Sequence, residues 1–318
     1  MSRAKYLLFF LTIVFLIVSC GKNPDIDNAI MLDGDQIFDL SLSEPQKYLI
    51  SESLPHPTDA QKNMPVVIAA HGYSASTFEW DELRSFADST KSFYVSQVLL
   101  GGHGRTYEDF KKATWHHWQS SIISEYKKLD SIGYKNIYLI GSSTGCPLII
   151  DMVTNRIFRD TVPPKGIFLI DPIVVSSNKM LTLVSVLGPI LGYTSIELSS
   201  GEKGKWYIYR PQQSLKQLMN LIDLTRNNLE EGIYLPKGTF LKTYKSKIDD
   251  TADPVSAVMI YKGMRTYDGK MTQVSIVDSK LHVFTRLEGR ENVTSKDEAL
   301  QTRTFKEIES MVLESKEK

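Results

Sequence analysis

Six short apolar runs limit the fold of this chain more than any other feature. PVVIAA (65–70), FYVSQVLL (93–100), NIYLIG (136–141), GIFLID (166–171), GTFLKTY (238–244) and VSIVD (274–278) are mostly continuous, and several are rich in Val and Ile. A strand with one wet face alternates polar and apolar residues, so an unbroken run belongs to a strand covered on both faces, as in a parallel sheet. The intervals between the runs carry the helical period that such crossovers need. Trp115, Trp118, Ile122, Tyr126 and Leu129 fall on one face, with Thr114 placed as N-cap. The pattern predicts an α/β chain: a mostly parallel sheet flanked by helices on both sides. Ahead of it, alternations such as IFDLSLS between Ile37 and Glu52 predict one or two further strands, and HPTDAQKNMP a turn.

One interval breaks the rhythm. From about Pro172 to Pro236 the chain is far longer than one crossover helix requires, and a structureless loop of that length is improbable in a packed domain. It holds an apolar piece, LTLVSVLGPILGY, an aromatic cluster, KWYIYRP, and an amphipathic stretch from about Ser214 to Leu229. These predict an inserted, largely helical cap over residues 173–236, lying above the C-terminal ends of the strands, where open α/β sheets bind ligands. The core is then divided into residues 29–172 and 237–318.

The N-terminus has a different physics. Arg3 and Lys5 precede an apolar run from Tyr6 to Val18, a charged and then greasy pattern too short to span a bilayer comfortably. The run closes on IVSC and so resembles the lipobox of bacterial lipoproteins. That resemblance implies a signal segment over residues 1–20, lipidation of Cys20, and a membrane anchor. The polar stretch 21–28 would be the tether, and the expected location is the cell envelope, facing the periplasm or the surface. Cys146 is the only other cysteine, so no intramolecular disulfide framework is expected. With 37 Lys and Arg against 37 Asp and Glu, and no dense basic cluster, the chain lacks the concentrated charge of a nucleic-acid surface.

The chemistry gathers around GSSTG (141–145), which follows the apolar IYLI and precedes CPLIIDMVTNRIF. Chance supplies G-x-S-x-G in about one chain in ten of this length. Strand before and helix after convert it into a nucleophile elbow, in which flanking glycines let the two backbones approach and the central residue projects upward. That residue is Ser143, and Ser142 is left to the turn. A hydroxyl is a poor nucleophile until a base takes its proton, so a histidine and an acid must exist elsewhere. Among the histidines, His56 lies in a turn, His103 sits in the glycine-rich GGHGRT, and His116 and His117 lie on the predicted helix.

HGYSAS, GGHGRT with the TWHHW helix after it, GSSTG, SKIDDTADP and LHVFTR together resemble the α/β-hydrolase superfamily, most closely its monoacylglycerol-lipase, carboxylesterase and serine-peptidase-like branch. The resemblance spans about Pro65 to Arg290. Its order of nucleophile, acid and histidine implies His282 as base and an acid after the strand GTFLKTY. Asp249 is favoured there, with Asp250 and Asp171 as rivals and Asp253 assigned to helix capping. It also implies an oxyanion hole from the amides of Tyr73 and Thr144, and a serine hydrolase needing no metal or organic cofactor. The apolar cap points to carboxylic esters of apolar or lipid-like acids, small-molecule or lipid, with Trp206, Tyr207 and Tyr209 available to line an acyl pocket. A peptidase, thioesterase or acyltransferase would use the same machinery, and a catalytically silent lipid-binding lipoprotein would have lost part of it. SK stands before the acid where the family usually has HG or G-x.

Overall fold

A computed structural model describes residues 44–177 and 192–316. The expected signal segment, Cys20, the tether, any strand before residue 44 and most of the apolar piece of the cap lie outside those residues. Among the described residues no helix is long and apolar enough to cross a membrane.

All six runs are strands of one sheet: β1 (Val66–Ala70), β2 (Tyr94–Val98), β3 (Ile137–Ser142), β4 (Gly166–Ile170), β5 (Phe240–Ser246) and β6 (Gln273–Val277). The spatial order is β6-β5-β4-β3-β1-β2, and every neighbouring pair is parallel. Every residue of β1, β3 and β4 is buried, which is why their runs show no alternation. The period of two survives in what each side chain touches. Val66, Ile68, Leu139, Ile167 and Leu169 join one apolar cluster, while Val67, Ala69, Ile140, Phe168 and Ile170 join the other.

The helices that cover these faces are α1 (Asp81–Thr90), α2 (Tyr107–Lys112), α3 (Trp115–Ile132), α4 (Gly145–Thr154), α5 (Gln212–Glu231), α6 (Val255–Gly263) and α7 (Ser295–Lys316). The predicted face of α3 is buried at each named position, and the Thr114 amide donates to Nδ1 of His117 at 3.0 Å, closing its first turn. The amphipathic stretch of the long interval is α5. Before α5, Tyr193–Ser195 and Tyr209–Pro211 pair antiparallel as a small two-stranded sheet.

The expectation of strand up to Glu52 is corrected over its described part. Pro45–Tyr48 is a 3-10 helix and Ile50–Ser53 a single helical turn. Pro45 has no N–H for a ladder and suits the first turn of a helix. The amide of Ile50 is taken by the Ser96 hydroxyl at 3.0 Å, and Ser51 by the buried Glu125 carboxylate.

The chain leaves β1 toward β2 on one side and later returns to lay β3 on the other. The C-terminal ends of β1 and β3 therefore diverge at a topological switch point, where open parallel sheets form their ligand crevice.

Candidate active site

Ser143 stands at that switch point, on a sharp turn between β3 and α4. Its φ is +47°, a left-handed conformation that costs a non-glycine residue on the order of 1 kcal/mol or more. Tertiary bonds hold it: its amide donates to the Ile170 carbonyl at 3.0 Å, and its carbonyl accepts from Cys146 at 3.2 Å. The turn is possible because its neighbours are glycines. A Cβ on Gly145 would lie 2.4 Å from the Ala70 carbonyl oxygen, and one on Gly141 would lie 2.7 Å from the Gly145 carbonyl carbon. Ser142 does not line the cavity of Ser143; its hydroxyl donates to the buried Glu79 carboxylate.

His282 follows β6 in a loop pinned at each step. The Leu281 carbonyl accepts from the Ser246 hydroxyl at 2.7 Å, the His282 and Val283 carbonyls accept from the Arg290 guanidinium, and the Phe284 amide donates to Asp171 at 3.2 Å. Val283, a β-branched residue, is held at φ +54°. Nδ1 of His282 lies 2.8 Å from Oδ2 of Asp249, so with Nδ1 protonated the bond goes to the carboxylate and leaves Nε2 as the acceptor.

Asp249 is the acid that reaches the histidine. Its Oδ1 accepts from the Thr251 and Ala252 amides at 2.8 and 3.0 Å, and its Oδ2 also accepts from Lys245 Nζ at 2.6 Å. Burial works to raise its pKa, but the His282 hydrogen bond and the Lys245 ammonium outweigh that and hold it well below the usual carboxylate range. Asp250 is exposed. Asp171 is fully buried and occupied otherwise: it accepts from the Ser246 amide at 2.7 Å, from Lys245 at 3.1 Å and from the Phe284 amide. It positions the histidine loop from the far side. Oxygen and nitrogen atoms of Asp171, Asp249 and His282 lie within 4.8 Å of one another, a donor set a cation could use. The Lys245 ammonium bridges the two carboxylates and supplies that positive charge itself.

Tyr73 and Thr144, whose amides are the expected oxyanion hole, line the same cavity as Ser143. Among the described residues neither the Tyr73 nor the Thr144 amide donates to a protein acceptor, whereas the neighbouring Gly72 amide is committed to Glu79 at 2.8 Å. Thr144 also opens α4, so its N–H lies at the positive end of the helix. The other glycine-loop histidines are structural. His71 donates from Nδ1 to the Gly72 carbonyl at 2.8 Å and accepts the Leu100 amide on Nε2 at 3.1 Å, and burial pushes its pKa down to about 4. His103 accepts the Ser74 amide on Nε2 and packs among Phe110, Trp118 and Tyr207, and burial holds its pKa well below normal.

Ser143, Thr144, Tyr73, His282 and Trp206 line one cavity of about 240 Å³. Of the three aromatics expected in an acyl pocket, only Trp206 is there. Tyr207 is corrected to a strut: its ring stacks on Phe110 at 4.3 Å and its hydroxyl donates to the Arg105 carbonyl while accepting the Arg105 amide. Tyr209 is likewise displaced, since its strand direction turns it toward Tyr193, ring to ring at 5.5 Å. Further apolar lining comes from Ile173, Leu215, Leu218 and Val283, two of them on α5. The lining also includes Arg210, Arg286 and Arg290, which the motif reading missed because single arginines in loops carry no spacing signal.

The sequence matches no protein-family profile. A carboxylesterase of Bacillus subtilis (strain 168) is 26% identical over 224 residues, which span 69% of this chain and 85% of that enzyme. A metagenome-derived lipolytic enzyme superposes with a TM-score of 0.61 at 17% identity, covering 78% of this chain and 94% of its own. A soluble variant of monoglyceride lipase from Saccharomyces cerevisiae, in complex with a substrate analog, superposes with a TM-score of 0.64 at 11% identity, covering 79% and 87%.

Proposed function

We propose that this chain, which has the α/β-hydrolase fold, is a serine hydrolase of carboxylic esters with apolar or lipid-like acyl groups, working through Ser143, His282 and Asp249. The observation that carries the reading is the 2.8 Å bond from His282 Nδ1 to Asp249 behind a cavity whose lining includes both His282 and the strained elbow residue Ser143.

In this mechanism Nε2 of His282 takes the Ser143 proton as Oγ attacks the ester carbonyl. Asp249, buried and anionic, fixes the tautomer and stabilises the imidazolium that forms. Oxyanion charge falls on the Tyr73 and Thr144 amides, each such donor typically contributing about 3 kcal/mol to lowering the barrier. The alcohol leaves with the proton from His282, and a water activated by the same nitrogen releases the acid from Ser143. Ile173, Leu215 and Leu218 give the acyl group apolar contact, and residues 173–236 act as the cap over it.

The N-terminal pattern extends the proposal to location: an exported lipoprotein, lipidated on Cys20 and tethered by residues 21–28 in the cell envelope. Metabolic labelling with a palmitate analogue should mark the wild type and not Cys20→Ser; equal labelling of both would end that part. For the chemistry, a fluorophosphonate probe should label the wild type, and Ser143→Ala should lose both the label and p-nitrophenyl ester turnover. Undiminished labelling in Ser143→Ala would refute the assignment.

A further inference from the structure

The cavity that holds Ser143 is not the neutral slot that an apolar ester alone calls for. Three guanidinium groups line it, and they are not equivalent. Arg286 has a counter-charge: its Nη2 donates to Glu202 at 2.7 Å, its Nη1 to the Glu288 carbonyl at 3.1 Å, and its guanidinium carbon lies 4.7 Å from the Trp206 ring centre, although its Nε, like that of Arg210, is buried without a partner. Arg290 spends its donors on the Arg286, His282 and Val283 carbonyls and has no carboxylate partner among the described residues. Arg210 has still less. It lies 5.6 Å over the Tyr73 ring, its Nε is buried without a partner, and it forms no ion pair among the described residues. The stretch 178–191 of the same interval contains no Asp or Glu to supply one.

Glu79, the one carboxylate among the described residues of the cavity wall, accepts from the Gly72 amide and the Ser142 hydroxyl and has no ion pair with Arg210 or Arg290. Burial lowers the pKa of Arg210, and burial followed by repulsion from Arg286 lowers that of Arg290 to about 10 against the opposing pull of Glu202, Glu79 and Asp171. Arg210 is half-buried with a buried, unpartnered Nε, and an unmatched guanidinium so placed is costly to keep unless something pairs with it. Its planar fork suits an oxyacid anion.

We propose that Arg210, with Arg290 in the same cavity, binds an anionic group, a carboxylate or a phosphate, carried by the ester that Ser143 cleaves. The proposal rests on the reading of Ser143 as nucleophile. It narrows the substrate class to esters with apolar contacts around the acyl carbon and an acidic group within the cavity.

The test compares p-nitrophenyl pentanoate with p-nitrophenyl hemiglutarate and p-nitrophenyl 3-phosphonopropionate on the full chain in detergent. The expected result is that kcat/KM for one of the acidic esters exceeds that of the neutral one by about tenfold or more, as a charge-assisted hydrogen bond allows. Which acidic ester wins tells carboxylate from phosphate. That ratio should fall at least about tenfold in Arg210→Gln, mostly through KM, and recover in part in Arg210→Lys. Monomethyl glutarate or methylphosphonate should also raise the melting temperature of Ser143→Ala and fail to raise that of the Arg210→Gln, Ser143→Ala double variant. A wild type that labels with fluorophosphonate yet prefers the neutral ester, with a ratio indifferent to Arg210, overturns the anion site and leaves the nucleophile standing. Absence of labelling and of all turnover would refute the nucleophile instead, and the melting shifts would still decide the anion site.

Discussion

Two charged regions meet at His282, and they are built on opposite rules. Behind the ring, Asp171, Lys245 and Asp249 are fully buried at their charged ends, and every one is matched: Lys245 Nζ lies 2.6 Å from Asp249 and 3.1 Å from Asp171, and backbone amides take further lone pairs of both carboxylates. In front of it, along the Ser143 cavity, Arg210 has no counter-charge among the described residues and Arg290 only carbonyls. A closed ion cluster fixes geometry, since each member is determined by the others, whereas open cations leave binding free energy to be collected from a ligand. The first region is read as the support of the base, the second as the part that selects.

The comparison breaks most severely if the matched region does not serve the base through Asp249. Asp249→Asn should lower kcat/KM by about 10⁴-fold, because the amide cannot hold His282 in the tautomer that leaves Nε2 basic. Asp171→Asn, which reaches the histidine loop through the Phe284 amide, the Ser246 hydroxyl that also holds the Leu281 carbonyl, and Lys245, should cost no more than about tenfold. Ester hydrolysis by both variants decides the matter, and a reversed order would transfer the role of the acid to Asp171.

Lys245→Met tests whether that region is held by its ion balance. Losing the ammonium leaves two buried carboxylates facing each other, a defect expected to destabilise by about 3–5 kcal/mol at neutral pH. The pH dependence follows from Asp249. Its folded pKa lies below its ordinary value near 4, so the stability it contributes is fully present above that value and is lost only as pH falls through the lower folded one. Without Lys245 the folded pKa rises, and protonation relieves the repulsion at a higher pH. The gap in melting temperature between wild type and variant should therefore narrow as pH is lowered from 8 to 3. A gap that stays constant would mean that Lys245 matters through its packing rather than its charge.

How far the sequence reveals these two regions differs for a physical reason. The strands were legible because continuous burial leaves continuous apolar runs, as at Val66–Ala70 and Gly166–Ile170. The elbow was legible because close approach demands glycine at fixed offsets, here Gly141 and Gly145. His282 and Asp249 came from chain order, with Asp250 and Asp171 left open, since only the fold brings a strand-end carboxylate within 2.8 Å of one loop histidine. Lys245 gave no signal: it lies within a buried strand, and nothing local says that two aspartates wait at its end. Trp206, Tyr207 and Tyr209 looked equivalent, yet a hydroxyl that finds Arg105 makes Tyr207 a strut and leaves Trp206 to the cavity. Arg210, Arg286 and Arg290 were invisible because their meaning depends on which of them has a carboxylate nearby, a long-range property.

The mildest effect lies inside the selecting region, at the one guanidinium there that is matched. Glu202 accepts from Arg286 at 2.7 Å and from the Ser199 hydroxyl at 3.0 Å, and although burial opposes it, Arg286 holds its carboxyl below the ordinary range. Glu202→Gln keeps the shape and the Ser199 contact but removes the charge, so Arg286 joins Arg210 and Arg290 as an open cation. Arg286 is buried and Glu202 half-buried in this pair, so the lost charge is felt inside the cavity. The preference for an acidic over a neutral p-nitrophenyl ester should rise by about two- to fivefold, through a lower KM and with little change in kcat. A preference that falls instead would mean that Glu202 serves to orient Arg286 toward the ligand rather than to silence it, and matched and unmatched arginines would then belong to one anion site.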